Sequence, residues 1–126
     1  MAVSAKKIVK EFLDSDVFVN TYDFEQYLHP ELKVHWHASS GFRVFDYDDY
    51  HRLCQSTANS YESMRNEISH IFSNKNEVAA RFTVYVRTVE NPREEIPVGY
   101  FISIFKIDDE KIIEVHQTSH PAEQQH

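Results

Sequence analysis

From about residue 63 to residue 119 the chain alternates between two sets of side chains with a period of two. Met64, Asn66, Ile68, His70 and Phe72 alternate with Arg65, Glu67 and Ser69; Val78, Ala80, Phe82, Val84 and Val86 alternate with Arg81, Thr83 and Arg87. Extended backbone sends successive side chains to opposite faces, so this pattern predicts strands with one face toward a core and one toward water. Asn74-Lys75-Asn76 turns the first strand into the second. A polar loop holding Pro92 and Pro97 leads to a third strand, Val98 through Ile107, and Asp108-Asp109-Glu110 turns it into a fourth, Lys111 through Ser119. The result is a long antiparallel meander.

A sheet with one apolar face needs a cover, and the preceding segments supply it. Ile8 and Phe12 lie four apart, with Val9, Leu13 and Val17 beside them, which predicts a helix capped by Ser4. Phe24, Tyr27 and Leu28 predict a second, short helix stopped by His29-Pro30. Residues 31 to 37 alternate, with Leu32, Val34 and Trp36 on one face and Lys33, His35 and His37 on the other, so they predict a strand. Ser39-Ser40-Gly41 turns it toward a short return strand from Phe42 to Phe45. Asp46 is placed to cap a third helix, with apolar positions at Tyr50, Leu53, Cys54, Thr57, Tyr61 and Met64. Helices first and strands last predict an α+β fold with the helices on one face of a curved antiparallel sheet.

The length, 126 residues, suits a single domain over residues 1–120, followed by a polar, frayed tail at 121–126. The formal net charge of -7 repels phosphate backbones and anionic headgroups, so neither nucleic acid nor a membrane surface is an expected partner. Cys54 is the only cysteine, the first residues lack the pattern of a secretory signal, and no run of apolar residues is long enough to span a bilayer. A cytoplasmic protein is expected.

The candidate functional residues sit on the predicted inner faces. Trp36 is either core or the wall of a cavity. His70, between Ile68 and Phe72, is either a buried histidine bonded to a neighbour or a neutral imidazole serving as general base. On the last strand Ile113, Val115, Gln117 and Ser119 are expected to face the helices, with Ile112, Glu114, His116, Thr118 and His120 outward. Gln117 then either orients a ligand or satisfies Trp36 or a backbone carbonyl. His35 and His37 share a face at a spacing some metal sites use, but two ligands are too few, and no third is evident in the sequence. No metal and no cofactor is therefore expected. Cys54 reads as a small core residue.

The element order, with "DFEQYLHPELKVHWH", "NKNEVAARFTVYV" and "VGYFISIFKIDDEKIIEV", resembles the NTF2-like superfamily and, within it, the SnoaL-like branch. The resemblance implies a cone of the cystatin-like class, in which the sheet wraps the first helix around a hydrophobic pocket. It also implies a homodimer through the outer sheet face, here carrying Ile112, Glu114 and His116. Members similar to this chain include polyketide cyclases, steroid isomerases and dehydratases, which work without a cofactor by proton transfer. At the positions of the steroid isomerase acids this chain has Val34-His35-Trp36-His37 and Tyr100-Phe101-Ile102-Ser103, without a carboxylate. A histidine, His70, is left as the base. Phe18, Trp36, Tyr50 and Phe82 are expected to hold a small hydrophobic or carbonyl-containing ligand, positioned by Asn66 and Gln117. The other expectation is a non-catalytic, dimeric ligand-binding or interaction module.

Overall fold

The computed structural model describes residues 4–122. Helix α1 covers Ala5–Asp14, with Ser4 Oγ accepting a hydrogen bond from the Lys7 amide at 3.2 Å. Its apolar face, Ile8, Val9, Phe12 and Leu13, is buried, while Lys10 and Asp14 pair on the solvent side. A 3-10 turn, Thr21–Asp23, leads into the single-turn helix α2, Phe24–Tyr27. Strand β1 runs Leu28–Ala38 and returns as β2, Gly41–Asp46. Gly41 turns the corner at φ +125°, a conformation that a side chain would strain.

Helix α3 spans Tyr47–Ala58. Asp46 and Asp49 form a reciprocal capping box, each side chain accepting from the other's backbone amide. The helix stops before Tyr61 and Met64, which the 3–4 spacing had assigned to it. Both belong to β3, Tyr61–Asn74, followed by β4, Glu77–Thr88, β5, Glu95–Asp108, and β6, Lys111–Pro121. β5 starts earlier than the sequence pattern suggested: Pro97 pairs with Tyr85 beside a bulge, one of the few places a sheet accepts proline. Pro121 lies at the end of β6 rather than in a tail, and residues 123–126 fall outside the described residues.

The six strands form one sheet in the order β2-β1-β6-β5-β4-β3. Its junctions are antiparallel except that between β1 and β6, which is parallel. The sheet is curved and open, and with the helices it makes the expected α+β, NTF2-like cone. α1 packs on β3 and β4, and α3 packs on β1 and β2. The inner face between the two helices lies over β5 and β6.

Bulges interrupt four of the five strand pairings. Those in the antiparallel pairings each add one residue to one strand, bend the sheet and reverse the alternation beyond it, whereas between β1 and β6 three extra residues of β1 lie between Leu28 and Lys33. One at Ser69, between the pairs Ile68↔Phe82 and His70↔Arg81, exchanges the two faces of β3. Ile71 therefore continues the inner face, while Phe72 is 66% exposed. Another separates Lys106↔Glu114 from Ile107↔Ile112 and turns Ile112 inward, where it is fully buried. The assignment of Ile112 to the outer face is corrected accordingly; Glu114 and His116 remain on that face.

Val9, Leu13, Phe24, Leu28, Leu32, Val34, Val78 and Val86 anchor the core. Phe12 links the layers by ring contacts to Phe18, Tyr27 and Phe105.

Candidate functional site

The gap between α1 and α3 is a cavity of about 360 Å³. Phe12 and Leu13 of α1, with Phe18 just beyond it, form one wall, and Tyr50, Leu53, Cys54 and Thr57 of α3 form another. The sheet supplies the floor through Trp36, Met64, Asn66, Phe82, Val84, Phe101, Phe105, Val115, Gln117 and Ser119. Phe82 and Phe101 stack at 5.3 Å with their planes 4° apart, and Trp36 leans on Phe101 and Phe45. Aromatic rings from α1, α3 and the sheet thus meet on one concave surface.

The six residues expected to meet a ligand, Phe18, Trp36, Tyr50, Asn66, Phe82 and Gln117, all border this cavity. His70 does not. Beyond the Ser69 bulge it is exposed: the ring lies on the outer face, its Nδ1 2.9 Å from Ser69 Oγ. The expected burial between Ile68 and Phe72 rested on unbroken alternation, and the bulge removes it.

The polar groups of the cavity fall into two kinds. Some are tied: Trp36 Nε1 donates to Ser119 Oγ at 2.7 Å, Asn66 Nδ2 donates to the carbonyl of Leu13 at 2.9 Å, and Thr57 Oγ1 donates to that of Leu53. The Asn66 bond satisfies a carbonyl at the end of α1, where the helix itself provides no partner. Ser103, wholly buried, donates to Gln117 Oε1 at 3.1 Å.

Others are free. Neither Gln117 Nε2 nor the Tyr50 hydroxyl has a hydrogen-bond partner among the described residues, yet no fully enclosed side-chain nitrogen or oxygen there lacks one. Both groups must therefore face open space, and the cavity is the space they border. Burial holds the Tyr50 phenol well above its ordinary pKa, with Cys54 adding to the effect, so it stays a neutral donor. Cys54 is likewise pushed up to about 12 by burial, which keeps it a thiol rather than a thiolate nucleophile.

Among the described residues no Asp, Glu, Lys or Arg borders the cavity. His120 lies at its rim, but strand register pairs it with Tyr100 on the outer face, and its Nδ1 lies 2.8 Å from the Pro121 carbonyl. Sequence reasoning missed Ser103; the signal was a lone polar residue at an inward position of the run Phe101-Ile102-Ser103-Ile104-Phe105.

On the opposite face of β1 the two histidines part company. His37 stacks on Phe42 at 4.4 Å. His35 stacks on His116 at 4.4 Å, with planes 8° apart, and Glu114 Oε1 lies 2.7 Å from His116 Nε2. That hydrogen bond holds the Glu114 carboxyl below its ordinary pKa.

A SnoaL-like domain model matches residues 10–115. The chain belongs to the SnoaL-like domain family. Among solved structures, this SnoaL-like chain is similar to IdmH of Streptomyces antibioticus, assigned as a polyketide cyclase, with 14% identity and a TM-score of 0.72 over 93% of this chain and 92% of that one. A protein of Acidithiobacillus ferrooxidans, assigned likewise, aligns with 16% identity and a TM-score of 0.71 over 94% and 91% of the two chains. An epoxide hydrolase of M. tuberculosis, described as LEH-like, aligns with 17% identity and a TM-score of 0.66 over 91% and 81%. No curated protein sequence matches the chain. Among the described residues no helix is long and apolar enough to cross a membrane.

Proposed function

We propose that this SnoaL-like protein binds a small, uncharged, largely apolar molecule carrying a carbonyl or similar oxygen. The observation that carries the reading is a cavity bordered, among the described residues, by no acidic side chain, lysine or arginine but by unpartnered donors that include the Tyr50 hydroxyl and the Gln117 amide. A charged ligand would lose its hydration there without compensation, whereas one neutral oxygen would satisfy a donor. About 360 Å³ is within the range of small-molecule sites. The polyketide cyclase and epoxide hydrolase assignments of similar structures support an oxygenated ligand.

Binding without turnover fits these residues better than proton transfer: among the described residues no carboxylate borders the space, the His70 imidazole lies on the outer face, and His120, the histidine that does border it, has its Nδ1 2.8 Å from the Pro121 carbonyl. The test is titration of Trp36 fluorescence with uncharged bicyclic and tricyclic ketones and with the matching hydrocarbons. Ketones are expected to bind one per chain and more tightly than hydrocarbons, with affinity unchanged within about twofold in His70→Ala, a surface substitution. Failure of every compound to bind overturns the reading, and equal affinity for ketone and hydrocarbon removes the donors from it.

The same proposal includes a homodimer through the outer sheet face, in the cytoplasm, where a free Cys54 suits a reducing environment. Support comes from register: Phe42 and Val44 of β2 and Ile102 and Ile104 of β5 lie on that face, each 44–58% exposed. Sedimentation equilibrium at micromolar concentration is expected to show a dimer for the wild type and a monomer for Ile104→Asp. A monomeric wild type refutes the dimer and leaves the cavity reading intact.

A further inference from the structure

The outer face carries a second constellation, unrelated to the cavity. His35 and His116 are directly paired across the parallel β1–β6 junction, and Glu114, two residues before His116, projects from the same side of β6. One ligand-type atom from each of the three lies within 4.8 Å of the others. We propose that His35, Glu114 and His116 form a binding site for a divalent transition-metal cation, of which Zn²⁺ is the reference case.

Two imidazoles and one carboxylate are the donor set that zinc and its first-row neighbours take in proteins, with bonds of about 2.0–2.2 Å. Ligand atoms around such an ion sit closer together than the upper bound observed here, so the side chains must draw in. In the single chain they are free to do so: His35 and Glu114 are half-buried and His116 is exposed, while the strands beneath are held in register by the sheet. The near-parallel stacking of the two rings already aligns their edges, which reduces the rotation required. Three protein ligands leave a fourth position open to water or to a group from another molecule.

His37 has no part in this site. Its ring is engaged by Phe42, and its strand neighbour on β6 is Thr118, which is a poor ligand. The spacing His-Trp-His in the sequence therefore points at the wrong pair, and the true pairing is across strands.

The test is titration of untagged full-length protein with Zn²⁺ by calorimetry, together with Co²⁺ and its visible absorption as a report of coordination. The expected result is one high-affinity equivalent per chain. His35→Ala, His116→Asn and Glu114→Gln should each weaken it by at least about tenfold, the lower end of what even a supporting residue costs. His37→Ala and His70→Ala should leave it unchanged, and circular dichroism should show all variants folded. If Zn²⁺ binds wild type and His35→Ala alike, or if His37→Ala weakens it equally, the binding belongs to dispersed surface histidines and the site is overturned. Absence of binding to the wild type overturns it also.

Discussion

Ile112→Glu is expected to leave the protein unfolded at 25 °C, whereas Phe72→Glu folds normally. Ile112 is completely buried, and its strand neighbour on β1 is the equally buried Leu28. Deleting its side chain alone would cost about 2–5 kcal/mol, and an unpaired carboxylate in that position adds several more. Native domains hold only about 5–15 kcal/mol in total. Phe72, by contrast, is 66% exposed, and a polar replacement there should stay within about 0.5 kcal/mol. Urea denaturation followed by circular dichroism distinguishes the cases. The opposite ranking, Phe72→Glu unfolding and Ile112→Glu tolerated, would mean that the strands lack the bulges at Ser69 and beside Ile112.

Those two positions also mark where the sequence stops being readable. Period-two alternation located the four strands of the meander and the inward row Val78, Ala80, Phe82, Val84 and Val86, and helical spacing with capping chemistry located the Ser4 and Asp46 caps, because these depend on local geometry alone. A bulge needs only one additional residue, and nothing in the residues Ile68-Ser69-His70 announces it. Past that point the inferred faces of β3 are inverted, which is why His70 was expected inside. The walls of the cavity were legible on the unbroken stretches, at Trp36, Tyr50, Asn66, Phe82 and Gln117. Contacts between residues distant in the chain were not: Glu114 and His116 meet His35 only because β6 lies against β1.

The second large effect is expected at Gln117. Gln117→Leu keeps the size and removes both the acceptor for Ser103 and the free amide. Ketone affinity should fall by about 1–3 kcal/mol, roughly 5- to 150-fold, and stability should drop by about 1–3 kcal/mol because the buried Ser103 hydroxyl loses its partner. Adding Ser103→Ala removes the orphaned hydroxyl, so the double variant Ser103→Ala/Gln117→Leu should regain much of the stability without regaining affinity. Thermal unfolding and fluorescence titration read the two quantities separately. Restored ketone affinity in the double variant would show that Gln117 acts by supporting Ser103 and not by contacting a ligand.

The parallel seam between β1 and β6 has a kinetic consequence. Trp36 finds Ser119 across 83 positions of sequence, and β1 has no other partner on that side. During synthesis the β1–β2 hairpin must wait, the free edge of β1 unpaired, until the final strand leaves the ribosome. Such distant closure is slow and leaves an edge open to wrong pairing in the interval. Truncation before β6 should accordingly yield an aggregating chain and not a smaller stable fold.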